Sequence, residues 1–189
     1  DCDDVVVENI EVVDQTLYEG LGPYAQSGYG VFVLGGSNHE VLSSRFENTL
    51  GADVKTQNTC PVVRNNYFKH RGGLGGLPPM GVWVDVCPAE TTIIEANSFS
   101  TKMTHAILFN QGAVEVKRNT VVGTVTDYED LNGPAVKIVD GEFDIAENLF
   151  VENQYAAINV VASEGTITGN RIDSSLPSDP GLKNGDGII

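Results

Sequence analysis

The stretch Ile145-Ala146-Glu147-Asn148-Leu149-Phe150 decides the fold, because its pattern recurs along the chain. The pattern is an apolar residue, two free positions, an asparagine, one free position and a second apolar residue. Four further copies have the same form, namely Val63-x-x-Asn66-x-Phe68, Ile94-x-x-Asn97-x-Phe99, Val116-x-x-Asn119-x-Val121 and Ile167-x-x-Asn170-x-Ile172. Two degenerate copies precede them, Val7-x-x-Ile10-x-Val12 and Val41-x-x-Ser44-x-Phe46. An internal repeat of this kind indicates a repeat architecture.

The spacing of the copies predicts a coil of short strands and turns. From Ser44 to Asn170 the anchor positions are 22, 31, 22, 29 and 22 residues apart, and 22 residues are too few for a βαβ crossover with its helix. Stacked coils lie about 4.8 Å apart, so equivalent residues form columns. We therefore expect about seven coils and two buried columns. One is a hydrogen-bonded asparagine ladder of Asn66, Asn97, Asn119, Asn148 and Asn170; the other is an aromatic column of Phe46, Phe68, Phe99 and Phe150.

Five segments resemble the repeats of right-handed parallel β-helix proteins, the pectate-lyase-like superfamily. They are "VVRNNYF" (62–68), "TIIEANSF" (92–99), "VEVKRNTV" (114–121), "FDIAENLF" (143–150) and "TITGNRI" (166–172). The resemblance covers nearly the whole chain and implies one all-β domain over residues 1–189, a right-handed single-stranded parallel β-helix. Proteins of this fold include lyases, hydrolases, epimerases, phage tailspikes and non-catalytic surface modules, so the resemblance leaves the activity open.

The composition is strongly acidic, with 26 acidic and 11 basic residues among 189 and a formal net charge of −15. This balance argues against nucleic acid and anionic membranes as partners. It also disfavours acidic polysaccharides unless a cation bridges them. No apolar run approaches the roughly 18 residues of a membrane span. Because Val7 and Ile188 already occupy strand positions, we expect the chain to be an excerpt, with flanking coils or caps beyond it.

The three cysteines of the chain are relevant to its cellular location, because disulfides form in oxidising compartments. Cys60 and Cys87 each precede a proline and lie one coil apart, so stacking could bring them to disulfide distance. A disulfide would suit a secreted or cell-surface protein; the alternative is two small buried residues. Cys2 is left over and is expected to pair outside this stretch.

Four insertions, 15–29, 69–80, 122–134 and 173–186, fall between the asparagine-bearing strand and the next one, on alternate coils. Long loops on a rigid scaffold often carry function, and these four could form a continuous wall. The alternative is that a permissive turn has tolerated them. The neighbouring strand presents an outward column of Phe32, Lys55, Trp83, Leu108, Lys137 and Asn159. From these residues and the loop tyrosines we predict a ligand-binding set of Trp83, Lys55, Lys137, Tyr24 and Tyr128, suited to a sugar. The alternative is a satellite core beneath the loops.

Two other groups are candidates for chemistry. Lys69, His70 and Arg71 form a basic cluster that could supply a lyase with a base and a cation, although a solvated cluster is the alternative. Asp127, Glu129 and Asp130 could offer oxygen ligands to Ca²⁺, although a solvated acidic loop is the alternative; no other cofactor is expected. His39 and His105 are expected to be structural. The motifs of polygalacturonase-like enzymes, an Asp pair with a Gly-His-Gly and an Arg-x-Lys, do not occur together: the one adjacent Asp pair, Asp3-Asp4, precedes the first strand and is interpreted as an ordinary turn, and there is no Gly-His-Gly.

Together these features favour an extracellular or cell-surface β-helix module that binds carbohydrate or another surface partner along its loop-bearing edge without cleaving it. A polysaccharide lyase or glycoside hydrolase is the first alternative. A structural spacer of an adhesin, tailspike or fibre is the second.

Overall fold

The computed structural model describes residues 3–14, 28–70, 79–100, 103–124, 133–154, 156–173 and 186–188. Within these residues the regular elements are short β-strands, and all strand pairs are parallel. No helix in the described part of the chain is long and apolar enough to cross a membrane.

The strands form three sheets of seven strands each, and consecutive strands in the chain belong to consecutive sheets. The first sheet contains β1 (Val6–Glu8), β4 (Glu40–Leu42), β7 (Val62–Arg64), β10 (Thr91–Glu95), β13 (Gly112–Lys117), β16 (Gly141–Ala146) and β19 (Glu164–Thr168). The second sheet contains β2 (Glu11–Val13), β5 (Arg45–Glu47), β8 (Tyr67–Lys69), β11 (Ser98–Ser100), β14 (Thr120–Val122), β17 (Leu149–Val151) and β20 (Arg171–Asp173). The third sheet contains β3 (Val31–Leu34), β6 (Ala52–Gln57), β9 (Met80–Val84), β12 (His105–Phe109), β15 (Val136–Val139), β18 (Ala156–Val161) and β21 (Asp186–Ile188).

Except at the two ends of each sheet, every strand pairs with the strand three places earlier and the strand three places later, which is the topology of a solenoid. In the second sheet, for example, Phe68 pairs with Phe46 on one side and Phe99 on the other. Because a parallel crossover is almost always right-handed, the winding agrees with the predicted right-handed β-helix. The predicted fold class is confirmed.

The interior contains the predicted aromatic column. Phe46, Phe68, Phe99 and Phe150 are at most 1% exposed. The rings of Phe46 and Phe68 stack with centroids 5.2 Å apart, and those of Phe68 and Phe99 stack at 4.7 Å. A register error of one residue would have turned these rings to solvent, so the inward alternation expected from the repeat is correct.

The asparagine ladder runs along the turn between the first and second sheets. The side-chain oxygen of Asn119 accepts bonds from the backbone N–H and the side-chain amide of Asn97, at 2.9 and 3.1 Å. The amide of Asn119 donates to the Ile94 carbonyl at 2.8 Å and to Asn148 Oδ1 at 3.0 Å. Equivalent bonds join the other members, and Ser44 extends the ladder at one end. The ladder therefore satisfies backbone groups that would otherwise be buried without partners.

The residue before each ladder position has a left-handed backbone. These residues are Asn9, Ser43, Asn65, Ala96, Arg118, Glu147 and Gly169, with φ between 48° and 62°. A left-handed conformation costs a non-glycine residue roughly 1–2 kcal/mol. The same turn recurs in every coil, and the ladder bonds lie next to it, so we infer that they offset its cost.

Cys60 and Cys87 form a disulfide, with their Cα atoms 4.7 Å apart. Both residues are buried, and the bond joins the turns of two neighbouring coils. The sequence left open a disulfide or two small buried residues, and the structure contains the disulfide.

The four predicted insertions occupy equivalent places in the topology. They connect β2 to β3, β8 to β9, β14 to β15 and β20 to β21, and each connection passes from the second sheet to the third. Most of their own residues lie outside the described part of the chain. The strands that flank them show that all four leave and re-enter the solenoid at the same corner.

Candidate ligand-binding face

The outward residues of the third sheet lie in one column, as expected. The strand register pairs Phe32 with Lys55, Lys55 with Trp83, Trp83 with Leu108, Leu108 with Lys137 and Lys137 with Asn159. We call these six residues the outer face. Five strand steps of about 4.8 Å give the column a length of roughly 24 Å, which suits an extended ligand.

At one end of this face, Lys55 is engaged by neighbouring side chains. Its ammonium lies 3.1 Å from Asp85 Oδ2 and 2.8 Å from the centroid of the Trp83 ring. The other oxygen of Asp85 accepts a bond from Asn110 at 2.8 Å. Lys55 is only 5% exposed, and burial lowers its pKa while Asp85 acts in the opposite direction. Lys55 therefore serves to hold Trp83 and Asp85 rather than to offer a free charge to a ligand.

Trp83 is half-buried, and one face of its indole is in contact with the Lys55 ammonium. That face cannot stack on a sugar ring while Lys55 occupies it. The indole Nε1 is buried and has no hydrogen-bond partner. Phe32 provides a more open aromatic surface, because it is 49% exposed. The face thus combines one accessible ring, Phe32, with one orphaned donor, the Trp83 N–H.

Lys137 differs from the other cations of the described residues. Lysine and arginine side chains elsewhere in this part of the chain each lie within ion-pair distance of a carboxylate. Lys137 has no such pair among the described residues. It is half-buried on β15, so its charge is held at the surface of the third sheet without a counterion.

His105 is the third buried histidine and the only one of the three without a partner. His39 donates from Nε2 to the Gly35 carbonyl at 2.9 Å and accepts from the Val5 N–H at 3.4 Å. His70 Nε2 lies 2.9 Å from Asp53 Oδ2. Both ring nitrogens of His105 are buried with no hydrogen-bond partner, although the residue is only 7% exposed.

The electrostatics of His105 connect it to Lys137. Burial and, to a lesser extent, the charge of Lys137 lower the pKa of His105 to about 4. His105 is therefore neutral at physiological pH. Asn159, next to Lys137 in the column, also has a buried side-chain oxygen without a partner. Sequence reasoning missed His105, because its position before Leu108 gave no indication that its ring would be unsatisfied.

Of the predicted basic cluster of Lys69, His70 and Arg71, the structure describes Lys69 and His70, and these two contact different partners. Lys69 is half-buried beside Glu47, at 4.0 Å, whereas His70 is only 1% exposed and bonds the fully buried Asp53. Neighbouring residues of a strand point to opposite sides, so these two side chains diverge. Thr49 donates a 2.6 Å bond to the other oxygen of Asp53, and burial raises the pKa of that carboxyl group. Arg71 lies outside the described residues.

Several predicted residues also lie outside the described part of the chain. These are the binding candidates Tyr24 and Tyr128 and the Ca²⁺ candidates Asp127, Glu129 and Asp130. Their roles stay predictions. Within the described ranges, no group of three or more His, Cys, Asp or Glu residues could hold a metal ion.

A groove of about 760 Å³ lies on a different corner, between the third and first sheets. Its lining includes Glu90, Asp140, Glu142 and Glu164. Ser163 in this groove is satisfied, because its hydroxyl donates to the Val161 carbonyl and accepts from the Gly141 N–H. None of its lining residues is among the buried side chains without partners. The buried atoms without partners at Trp83 and Asn159 lie instead on the outer face.

Comparison with known proteins agrees with this architecture. No curated protein and no solved structure matches the chain. Residues 4–172 match the family model described as a right-handed beta helix region. The chain therefore belongs to the right-handed β-helix family.

Proposed function

We propose that the protein is a β-helix module that binds carbohydrate along the outer face of the third sheet without cleaving it. The observation that carries this proposal is that two members of the outward column, Trp83 and Asn159, each hold a buried polar atom without a partner, in the same column as the exposed ring of Phe32 and the unpaired Lys137. Leaving a buried polar group unsatisfied costs roughly 1–3 kcal/mol. Such groups are retained where a ligand completes their hydrogen bonds, and sugars offer many hydroxyl groups for this purpose.

Other features support the same proposal. Phe32 offers an exposed ring for stacking, and the polar groups lie farther along the same column. Four insertions border this sheet at one corner. The Cys60–Cys87 disulfide favours a secreted or cell-surface location, since disulfides persist in oxidising compartments. Cleavage has little support, because His70, the base in the predicted cluster, is only 1% exposed.

The proposal is tested by incubating the protein with a panel of neutral and acidic polysaccharides and measuring binding and cleavage together. Binding is followed by fluorescence of Trp83, the single tryptophan of the chain. We expect saturable binding to at least one polysaccharide and no new reducing or unsaturated ends. New ends would indicate a glycosidase or a lyase, and a lack of binding across the panel would contradict the proposal.

The matched variants are Trp83→Ala and Tyr67→Ala, with affinity electrophoresis as the readout. Tyr67 is a half-buried aromatic residue that points outward from the second sheet, with the Arg45 guanidinium 5.9 Å from its ring centroid. Loss of Trp83 should weaken binding, and loss of Tyr67 should leave it unchanged. Equal effects of the two substitutions would contradict the assignment of binding to the third sheet.

A further inference from the structure

We propose that the corner between the third and first sheets binds a lysine-bearing peptide of a protein partner, with one lysine ammonium seated in a small pocket beside Thr59. This site is separate from the outer face and does not depend on carbohydrate binding there. The pocket has a volume of about 60 Å³, and Thr59, Cys60 and Glu90 are among its lining residues. The segment 88–90 lines both this pocket and the acidic groove of about 760 Å³, so the two are adjoining parts of one surface.

The hydroxyl group of Thr59 is the observation that points to a ligand. Thr59 is only 1% exposed, and its Oγ1 is buried without a hydrogen-bond partner in the described part of the chain. The backbone N–H of the same residue is satisfied, because it donates to the Val86 carbonyl at 3.1 Å. A buried hydroxyl group without a partner destabilises the fold, and valine would fill the same space without that cost. A donor group that enters the pocket would complete the missing hydrogen bond.

The wall shared by the pocket and the groove is held in place by covalent structure. Six residues connect β9 to β10, whereas two connect β12 to β13 and one connects β15 to β16. The longer connection contains the exposed segment 88–90. The disulfide joins Cys87, at the start of this segment, to Cys60 in the neighbouring coil, and the Glu90 carbonyl oxygen lies 2.9 Å from Cys87 Sγ. The pocket is therefore formed before a ligand arrives, which lowers the entropic cost of binding.

The charge of this corner selects a cation. Glu90 lines the pocket and the groove, and the groove adds Asp140, Glu142 and Glu164. Within the described ranges, no lysine or arginine lies within ion-pair distance of these four carboxylates. Glu142 and Glu164 are register partners on adjacent strands, and like charges in such positions repel each other. A bound cation relieves this repulsion, in agreement with a net charge of −15 for the chain.

The pocket fits the end of a lysine side chain. Its volume of about 60 Å³ is well below the roughly 300–1,000 Å³ of a typical small-molecule site, so it accepts one group of a longer ligand. Pro88, Ala89 and the disulfide can cover the apolar stem of a lysine. The ammonium can then donate to the Thr59 hydroxyl and the Glu90 carboxylate. A guanidinium carries five N–H donors in a planar fork, which is more than this pair of acceptors satisfies. The flanking residues of the peptide would lie in the groove.

The test is a titration of the ¹⁵N-labelled protein with pentalysine at physiological ionic strength, followed by the backbone amides of Thr59, Ala89 and Gly141. We expect saturable shifts of these signals and an affinity at least about tenfold higher than for pentaarginine. Pentalysine acetylated on its side chains should not bind. Equal affinities for pentalysine and pentaarginine would show attraction by charge alone and would overturn the proposal. Equal binding of spermidine would overturn the assignment of a peptide partner.

Three variants separate binding from folding. Thr59→Val should leave the thermal midpoint unchanged or raise it, because an unsatisfied buried group is removed, and it should weaken pentalysine binding at least about tenfold. Glu90→Gln, on the surface, should weaken binding as well. The control Glu152→Gln removes the same charge from an exposed residue between the second and third sheets, and it should change the affinity less than about twofold. The proposal is wrong if pentalysine does not bind, in which case a buried water satisfies Thr59. It is equally wrong if Thr59→Val or Glu90→Gln binds as tightly as the wild type.

Discussion

Replacing Asn119 with alanine tests the ladder at a position with a neighbour on either side. Asn119 is only 1% exposed. The substitution leaves three buried groups without their partner: the backbone N–H of Asn97, one N–H of the Asn97 amide, and the Ile94 carbonyl. The Oδ1 of Asn148 keeps its bond from the backbone N–H of residue 119.

The expected loss of stability follows from the number of buried groups that lose their partner. An unsatisfied buried polar group costs roughly 1–3 kcal/mol, and even the lower end of that range gives about 3 kcal/mol for three groups. The free energy of unfolding, measured by urea denaturation, should fall by about that amount with little change in the m-value. A loss below about 1 kcal/mol would refute the reasoning.

Asn170→Ala is the matched control for this measurement. The Asn170 side chain makes the same kinds of bond, to the backbone N–H and amide of Asn148 and to the Ile145 carbonyl. Asn170 is half-buried, so water can replace part of what is lost. We expect a cost of about 1 kcal/mol, clearly smaller than at Asn119. Equal costs at the two positions would mean that burial does not set the strength of the ladder.

Three further predictions concern the core, the pH dependence and the disulfide. Phe99→Ala should lower the free energy of unfolding by about 3–5 kcal/mol, because the ring is buried and stacks on Phe68; a cost below about 1 kcal/mol in urea would contradict this. The pKa of His105 is lowered from 6.5 to about 4. The unfolded chain therefore binds the proton more tightly, and His105 should remove about 3 kcal/mol of stability as the pH falls from 6.5 to 4. Urea denaturation in chloride buffer should show this loss in the wild type and not in His105→Gln; an equal loss in both would contradict it. Replacing Cys60 and Cys87, which are 27 residues apart, with alanine should cost about 3–4 kcal/mol by the loop-entropy relation, and an unchanged thermal midpoint would contradict it.

The parts of the structure that follow from the repeat could be predicted from the sequence. Once Asn97 and Asn119, and likewise Phe99 and Val121, are placed on equivalent positions of successive coils, the period of two within each strand determines which residues face inward. The same logic correctly placed Trp83 and Lys137 in one outward column. The same alternation also predicts the direction of His70: Phe68 points inward and Lys69 outward, so the next residue is expected to point inward again. The prediction of a shared basic cluster did not take this alternation into account.

The state of the individual side chains on the outer face could not be predicted in this way. Whether a lysine finds a counterion depends on neighbours that are distant in sequence: Lys55 reaches Asp85, 30 residues later, whereas Lys137 reaches no carboxylate among the described residues. The orphaned ring of His105 likewise depends on what the adjacent coils present. A repeat determines position, but the partners of a polar side chain depend on residues that vary from coil to coil.

The central claim is that the outer face of the third sheet binds the ligand, and the indole N–H of Trp83 tests it most directly. The chain has one tryptophan, so a ¹H–¹⁵N correlation spectrum contains one indole signal, and that N–H is buried without a partner. Titration with a polysaccharide that binds should shift this signal saturably, together with the backbone amides of Lys137 and Asn159. A ligand that binds while these signals stay in place, and that instead shifts amides of the first or second sheet, would contradict the account.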